Sequence, residues 1–158
     1  GDLYQWGRSK DGHQCRTSST STTNSADNVP GHGDFILEAS SPNDWRSPQN
    51  TNLWQGVSGI NNPCPGGYRL ATDTELDTEH ASWSTDDEAG AFGSVLKLPM
   101  AGRRSDSDGS LVGVGTGGYY WSSTVSSTSS RRLYFDSSGA AMGTLNRARA
   151  LSVRCLKD

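Results

Sequence analysis

A chain of 158 residues is about one domain's worth, long enough to bury a core without help from a metal or a disulfide. Fourteen basic against 17 acidic residues give a net charge of −3, which is no nucleic-acid signature. Ser, Thr and Gly make up 56 residues and mean hydropathy is −0.67, a composition that leans towards disorder, but five Trp and five Tyr exclude it.

No run approaches the roughly 18 apolar residues of a membrane span. Gly1-Asp2-Leu3-Tyr4-Gln5-Trp6 lacks the features of a signal peptide and reads as the middle of structured sequence. We expect upstream sequence to have been trimmed, and targeting information with it.

Tyr4 and Trp6 alternate with polar neighbours up to an Asp11-Gly12 turn, which reads as strand and turn over 1–12. Residues 16–34, without an apolar side chain from Thr17 to Thr23, read as a surface loop. Residues 42–54 hold Trp45, Trp54 and two prolines without periodicity, an ordered loop pinned by aromatics. Thr72-Asp73-Thr74-Glu75 is a capping box, in which hydroxyl and carboxylate satisfy reciprocal backbone donors. Asp73, Glu75 and Asp77 suit the positive end of a helix dipole, so a helix is predicted to about Ser82.

A short helical turn is predicted over Asp87–Phe92 and a strand over Val95–Pro99. From Leu111 the pattern becomes β. Residues 119–124 form a strand by propensity and 132–136 by alternation. Ser137-Ser138-Gly139 turns, 140–143 returns, and 151–156 is the last strand. With the helix early and antiparallel strands late, the fold class is α+β, one domain over 1–158.

Cys15, Cys64 and Cys155 form no C-x-x-C pair and have no histidine at ligand spacing, which argues against zinc. A bridge between Cys64, in the rigid turn 62–67, and Cys155, in the terminal strand, would tie the C-terminus to the middle of the fold. It would also favour an oxidising compartment. Cys15 reads as a free surface thiol. Asp106-Ser107-Asp108-Gly109-Ser110 resembles a fragment of a calcium loop but lacks the glutamate an EF-hand needs, and reads as a hairpin-like turn. His13, His32 and His80 lie near Ser and Asp, but no G-x-S-x-G elbow supports a hydrolase triad. No metal, cofactor or catalytic residue is expected. Arg131, Arg132, Arg147, Arg149 and Arg154 face only Asp136 in the C-terminal stretch. They split between faces and the chain is acidic overall, so nucleic acid is not the expected partner. Arg131, Arg147 and Arg154 are assigned to framework hydrogen bonds.

Asn62-Pro63-Cys64-Pro65-Gly66-Gly67-Tyr68-Arg69-Leu70, followed by Thr72-x-x-Glu75-Leu76, resembles the NPCP-x-G-[YW]-R-[LV]-P-T-x-x-E-[LW] signature of the Fibrobacter succinogenes major paralogous domain. Leu96-Lys97-Leu98-Pro99-x-Ala101-Gly102-Arg103 resembles its LKLP-x-AG-x-R segment. Gly118-Tyr119-Tyr120-Trp121-Ser122-Ser123-Thr124 and Ser152-Val153-Arg154-Cys155-Leu156-Lys157-Asp158 are similar to its G-x-YWSST and SVRC-x-KD elements. Matches run from Tyr4-Gln5-Trp6-Gly7-Arg8 to the last residue. Ala71 stands where the family usually has proline, which loosens the start of the helix.

The resemblance implies a C-type lectin-like fold of the formylglycine-generating-enzyme-like branch, loop-rich, with short antiparallel strands and one or two helices. It also implies the variable protein of a diversity-generating retroelement, in which adenine-directed mutagenesis rewrites ligand-contacting positions. The expected function is then receptor- or adhesin-type recognition of a protein or glycan through a hypervariable C-terminal face. The place would be the cell surface or the extracellular space, with anchoring through an upstream segment. The EPN, QPD and WND triplets of sugar-binding calcium sites are absent. The alternative is a non-diversified secreted carbohydrate-binding or adhesion module of the same fold. A formylglycine-generating-type enzyme, which needs a cysteine pair able to hold copper, comes third.

Codons of the type AAC, mutated at adenine, never reach Lys, Glu, Gln, Trp or Met. From Val125 to Cys155 there is no Lys, Glu, Gln or Trp, where ordinary composition gives about five or six. Met142 is the one Met. Alternate side chains of a strand face opposite sides. Leu133 and Phe135 therefore mark a packed face with Arg131, and Arg132, Tyr134 and Asp136 an outward one. Across the turn Ala140 and Met142 share one face, Ala141 and Gly143 the other. The candidate diversified segment is 125–155, and the candidate ligand-binding positions are Arg132, Tyr134, Asp136, Ser138, Gly139, Ala141, Gly143, Thr144, Leu145, Asn146, Arg149 and Leu151. Tyr134, Arg132 and Arg149 are the expected anchors, since Tyr and Arg dominate interface hot spots.

Overall fold

Ser, Thr and Gly favour turns over long ladders, and most strands in the computed structural model, which describes residues 1–158, are only two or three residues long. In chain order the elements are β1 (Tyr4–Gln5), β2 (Thr20–Ser21), β3 (Phe35–Ile36), β4 (Tyr68–Leu70), α1 (Asp73–Ala81), α2 (Glu88–Gly93), β5 (Arg103–Arg104), β6 (Leu111–Val112), β7 (Gly118–Ser126), β8 (Ser129–Asp136), β9 (Gly139–Asn146), β10 (Ala150–Leu151) and β11 (Cys155–Lys157). The fold is a small mixed α+β one. Strand pairing is antiparallel throughout except between β2 and β3. Four strands form one sheet in the order β1-β10-β5-β6, β11 pairs with β4, and β7-β8-β9 form a meander. No helix is long and apolar enough to cross a membrane.

The capping box sets α1. The Thr72 hydroxyl accepts the Glu75 N–H and the Glu75 carboxylate accepts the Thr72 N–H at 2.8 Å, with Ser82 closing the helix. Asp87 caps α2 by accepting the Gly90 N–H. The start of α1 is tied to the meander twice: Asp73 donates its N–H to Thr124 and takes Arg131 Nε at 2.9 Å.

Four tryptophans fill the larger core. Trp6, Trp45, Trp54 and Trp121 are fully buried with Tyr4, Ile36, Leu53, Leu70 and Leu151. Each indole N–H donates to a backbone carbonyl: Trp6 to Ser122, Trp45 to Trp6, Trp54 to Arg8 and Trp121 to Tyr4. A buried indole N–H without an acceptor would cost about 1–3 kcal/mol, so these bonds choose which loops close over the rings. The second core lies between the helices and the meander: Leu76, Ala91, Leu98, Tyr120, Leu133 and Phe135.

The polar residues near the start are as buried as the rings. Gln5 Nε2 donates to the carbonyls of Ile36 and Ala148, and its Oε1 accepts the Ile36 N–H and Arg8. Arg8 also reaches Asp11 and the carbonyls of His32 and Asp34, beside the Trp45 ring. Arg147 lies 4.7 Å from the centre of the Trp6 ring and donates to the carbonyls of Ser127 and Ser129.

Cys64 and Cys155 form a disulfide, with Cα atoms 5.7 Å apart, beside the β4–β11 pair. Cys15 is free and exposed.

Four expectations are corrected. Residues 95–99 are not a strand: the Lys97 and Leu98 N–H groups return to Ser94 and Ala91, and Val95 is 84 % exposed. The loop 16–34 contains β2, invisible because Thr and Ser line it and its partner, Phe35–Ile36, lies outside that stretch. The last strand is broken: β10 pairs with β1, Ser152 bridges to Tyr120, and β11 pairs with β4. Arg154 is exposed and makes no side-chain hydrogen bond, whereas Arg131 and Arg147 do.

Candidate functional site

The register of the meander decides which side chains meet. Directly opposed residues of antiparallel strands share a face. Gly118, Phe135 and Ala140 form one row, and Tyr120, Leu133 and Met142 another on the same side. Tyr119, Tyr134 and Ala141, then Trp121, Arg132 and Gly143, form rows on the opposite side.

The first side is packed. Leu133 and Phe135 are both 0 % exposed, and Phe135 stacks on Tyr120 with centroids 5.9 Å apart. Gly118 has to be glycine, because a Cβ there would lie 2.1 Å from the Phe135 ring. The second side divides along its length. Trp121 enters the tryptophan core, while Tyr119, Tyr134 and Arg132 stay half-buried at the surface.

There the rings of Tyr119 and Tyr134 lie 4.8 Å apart, and the Arg132 guanidinium sits 5.1 Å from the Tyr134 centroid and 5.9 Å from that of Tyr119. Arg103, from β5, lies 5.5 Å from the same Tyr119 ring. The group is a cation–aromatic platform in which two arginines flank one tyrosine. Burial lowers the Arg132 pKa, yet a guanidinium stays charged at any physiological pH.

Beside the platform, the Tyr134 hydroxyl donates to Asp136, which pushes the phenol up to about 12. Asp136 also accepts the Ser138 hydroxyl and N–H, and together with Tyr134 these hold its carboxyl down at about 2. Gly143 lies against Arg132: a Cβ there would meet its guanidinium atoms at 3.5–3.7 Å, ordinary contact.

The structure sorts the candidate positions into groups. Arg132, Tyr134, Ala141 and Gly143 lie on the platform side, with Asp136, Ser138 and Gly139 at its turn end. Asn146 and Arg149 meet elsewhere, both on Asp106: Arg149 Nε at 2.9 Å and Asn146 Nδ2 at 3.3 Å from its carboxylate. Thr144 is exposed but opposes Arg131, placing it on the helix side. Leu145 packs partly buried against the tryptophan core. Leu151 is corrected outright: it is fully buried, paired with Tyr4, and belongs to that core.

The C-terminal segment of the sequence could not reveal Arg103 and Tyr119. Tyr119 is readable from period-two pairing once opposed to Tyr134, whereas Arg103 enters the sequence reading only within the family-like segment 96–103, and nothing there places it against Tyr119.

A family model described as a domain of unknown function (DUF8237) matches residues 69–156, more than half of the chain. The chain belongs to the DUF8237 family. No curated protein and no solved structure matches it. The DUF8237 segment contains both helices, the whole meander and every platform residue, while Trp6, Trp45 and Trp54 lie outside it.

The other histidine–carboxylate chemistry is structural. His13 Nδ1 meets Asp11 at 2.6 Å, but Nε2 accepts the Gln5 N–H at 3.1 Å, so both ring nitrogens are engaged. Burial pushes the His13 pKa down to about 4, leaving a neutral imidazole. No three His, Cys, Asp or Glu side chains of the chain converge as a metal-holding group.

Proposed function

We propose that this DUF8237 chain is a ligand-recognition protein with a C-type lectin-like fold, the variable protein of a diversity-generating retroelement. It binds a protein or glycan on a cell or other surface through the outward face of β8 and β9. The observation that carries this reading is the alternation along β8. Leu133 and Phe135 are fully buried, while Arg132 and Tyr134, which alternate with them, point to the other side, where their replacement leaves the second core untouched. Substitutions at such positions usually change stability by no more than about 0.5 kcal/mol, the tolerance that repeated rewriting demands. The absence of Lys, Glu, Gln and Trp from 125–155 supports the same reading.

The disulfide fits an oxidising, extracellular setting. It also occupies two of the three sulfurs, so the cysteine pair of a formylglycine-generating-type enzyme has no counterpart outside the bridge. Thiol titration of the denatured, unreduced chain is expected to find one free thiol; three would reopen the enzymatic reading.

Sequencing the gene's neighbourhood tests the proposal. The expected result is a reverse transcriptase and a near-identical template repeat whose mismatches fall only at template adenines, in codons such as those of Arg132, Tyr134, Ala141 and Gly143. A neighbourhood without either, and isolates invariant at these codons, would overturn it.

A further inference from the structure

The chain has 11 arginines, and eight of them place their guanidinium on acceptors within the chain: Arg8, Arg16, Arg46, Arg69, Arg104, Arg131, Arg147 and Arg149. Of the three that do not, Arg154 is exposed at the rim of the cavity lined by Tyr4, Pro99 and Tyr120, away from the meander's outer face. Arg103 and Arg132 flank the same Tyr119 ring. Arg132 Nε is buried without a hydrogen-bond partner, as are Nε of Arg46 and Arg147, but those two reach acceptors through their terminal nitrogens and Arg132 reaches none. Neighbouring acids do not supply one. Asp136 is held by Tyr134 and Ser138, and Asp106 by Arg149 and Asn146. Gly143, the residue opposite Arg132 on β9, has no side chain to cover it.

A half-buried guanidinium with five donors and no acceptor is costly, and a carboxylate meets its planar fork with two parallel N–H bonds. We infer that the platform takes a carboxylate-bearing protein partner, an acidic patch of Asp and Glu side chains that docks on Arg132 and Arg103 against the two tyrosines. This rests on the recognition reading above and adds the chemistry of the partner. A protein rather than an acidic sugar is favoured by shape. The two cavities of the molecule lie elsewhere, one lined by Tyr4, Pro99 and Tyr120 and the other by Leu76, Leu96 and Leu156. An open Tyr–Arg surface suits a protein epitope, whereas small ligands select concave sites.

The test uses the whole disulfide-bonded chain, isotope-labelled for NMR, titrated with octaglutamate, octaglutamine and trigalacturonate. Octaglutamate is expected to shift the Nε–Hε signals of Arg132 and Arg103 but not those of Arg8 or Arg147. Raising salt from about 0.05 to about 0.5 M should weaken the response. Arg132→Met should lower the affinity about tenfold, the loss of one charge-assisted bond, with only a small drop in melting temperature because no hydrogen bond within the chain is removed and only its contacts with the two tyrosine rings change. Equal shifts from octaglutamine, or none from octaglutamate at millimolar concentration, would overturn the inference. Binding of trigalacturonate alone would overturn the choice of a protein partner. A platform silent to octaglutamate in a gene with template-matched diversification removes only the acidic partner. An undiversified gene removes the variable-protein reading whatever the peptide does.

Discussion

Two regions of the molecule stack arginine on aromatic rings, and they do opposite things with the result. Around Trp6 and Trp45, Arg8 and Arg147 are sealed from solvent; every nitrogen of Arg8 and the two terminal nitrogens of Arg147 reach carbonyl or carboxylate oxygens, while Arg147 Nε has none. On the outer side of the meander, Arg132 from β8 and Arg103 from the neighbouring β5 lean on Tyr119 but have no acceptor in the chain. The same pair of residue types is therefore architecture where guanidinium nitrogens find acceptors in the chain; on the platform, where none does, it forms the face proposed above for recognition. Ring stacking alone does not tell the two apart; the fate of the N–H groups does.

The comparison can be broken at its anchored side first. Replacing Cys64 and Cys155 with serine frees a loop of 91 residues, which should cost roughly 4–5 kcal/mol in chemical denaturation by the loop-entropy model. The oxidised platform variants should stay within about 0.5 kcal/mol of the parent. Next, Arg8→Met should cost about 3–5 kcal/mol, because it removes the cation paired with the largely buried Asp11 and one of the two donors to Gln5 Oε1. Arg132→Met strands nothing, and an equal loss at the two arginines would erase the distinction.

Acid separates the regions a third way. Folded His13 titrates at about 4 against an ordinary 6.5, so between these values the unfolded chain binds the extra proton. The contribution is fully present above pH 6.5 and is lost as pH falls towards 4, roughly 3 kcal/mol in all. Urea titrations at several pH values should show that slope, and His13→Gln should flatten it. The smallest effect compares two glycines. Gly118→Ala forces a Cβ into the Phe135 ring and should cost about 1–3 kcal/mol. Gly143→Ala should fall within about 0.5 kcal/mol in the same thermal-melting series.

Much of this was legible in the chain and some was not, for identifiable reasons. The capping box at Thr72 announced α1 because its signal is local. Alternation along 132–136 announced the packed face because Leu133 and Phe135 had no polar partners to confuse it. Gln5 reads as a polar neighbour of Tyr4 and Trp6, and nothing local marks Arg8 or His13 as interior. Their burial depends on acceptors supplied from His32 to Ile36 and from Ala148, distances no window spans. Leu151 and Leu145 failed as surface positions for a related reason: the tryptophan core, assembled from remote loops, reaches under the C-terminal strands. Val95–Leu98 mimicked a strand because apolar content was read without asking where its amides would go.

In the β7-β8-β9 meander, β9 pairs only with β8. Its far side leaves a row of amides and carbonyls without a neighbouring strand, a template on which a second copy can zip. Glycine at 139 and 143 and asparagine at 146 are poor strand formers and blunt that hazard. Under the proposed diversification this ribbon faces a limit that core packing does not set: valine- and isoleucine-rich sequences would sharpen the open edge as a template for polymerisation.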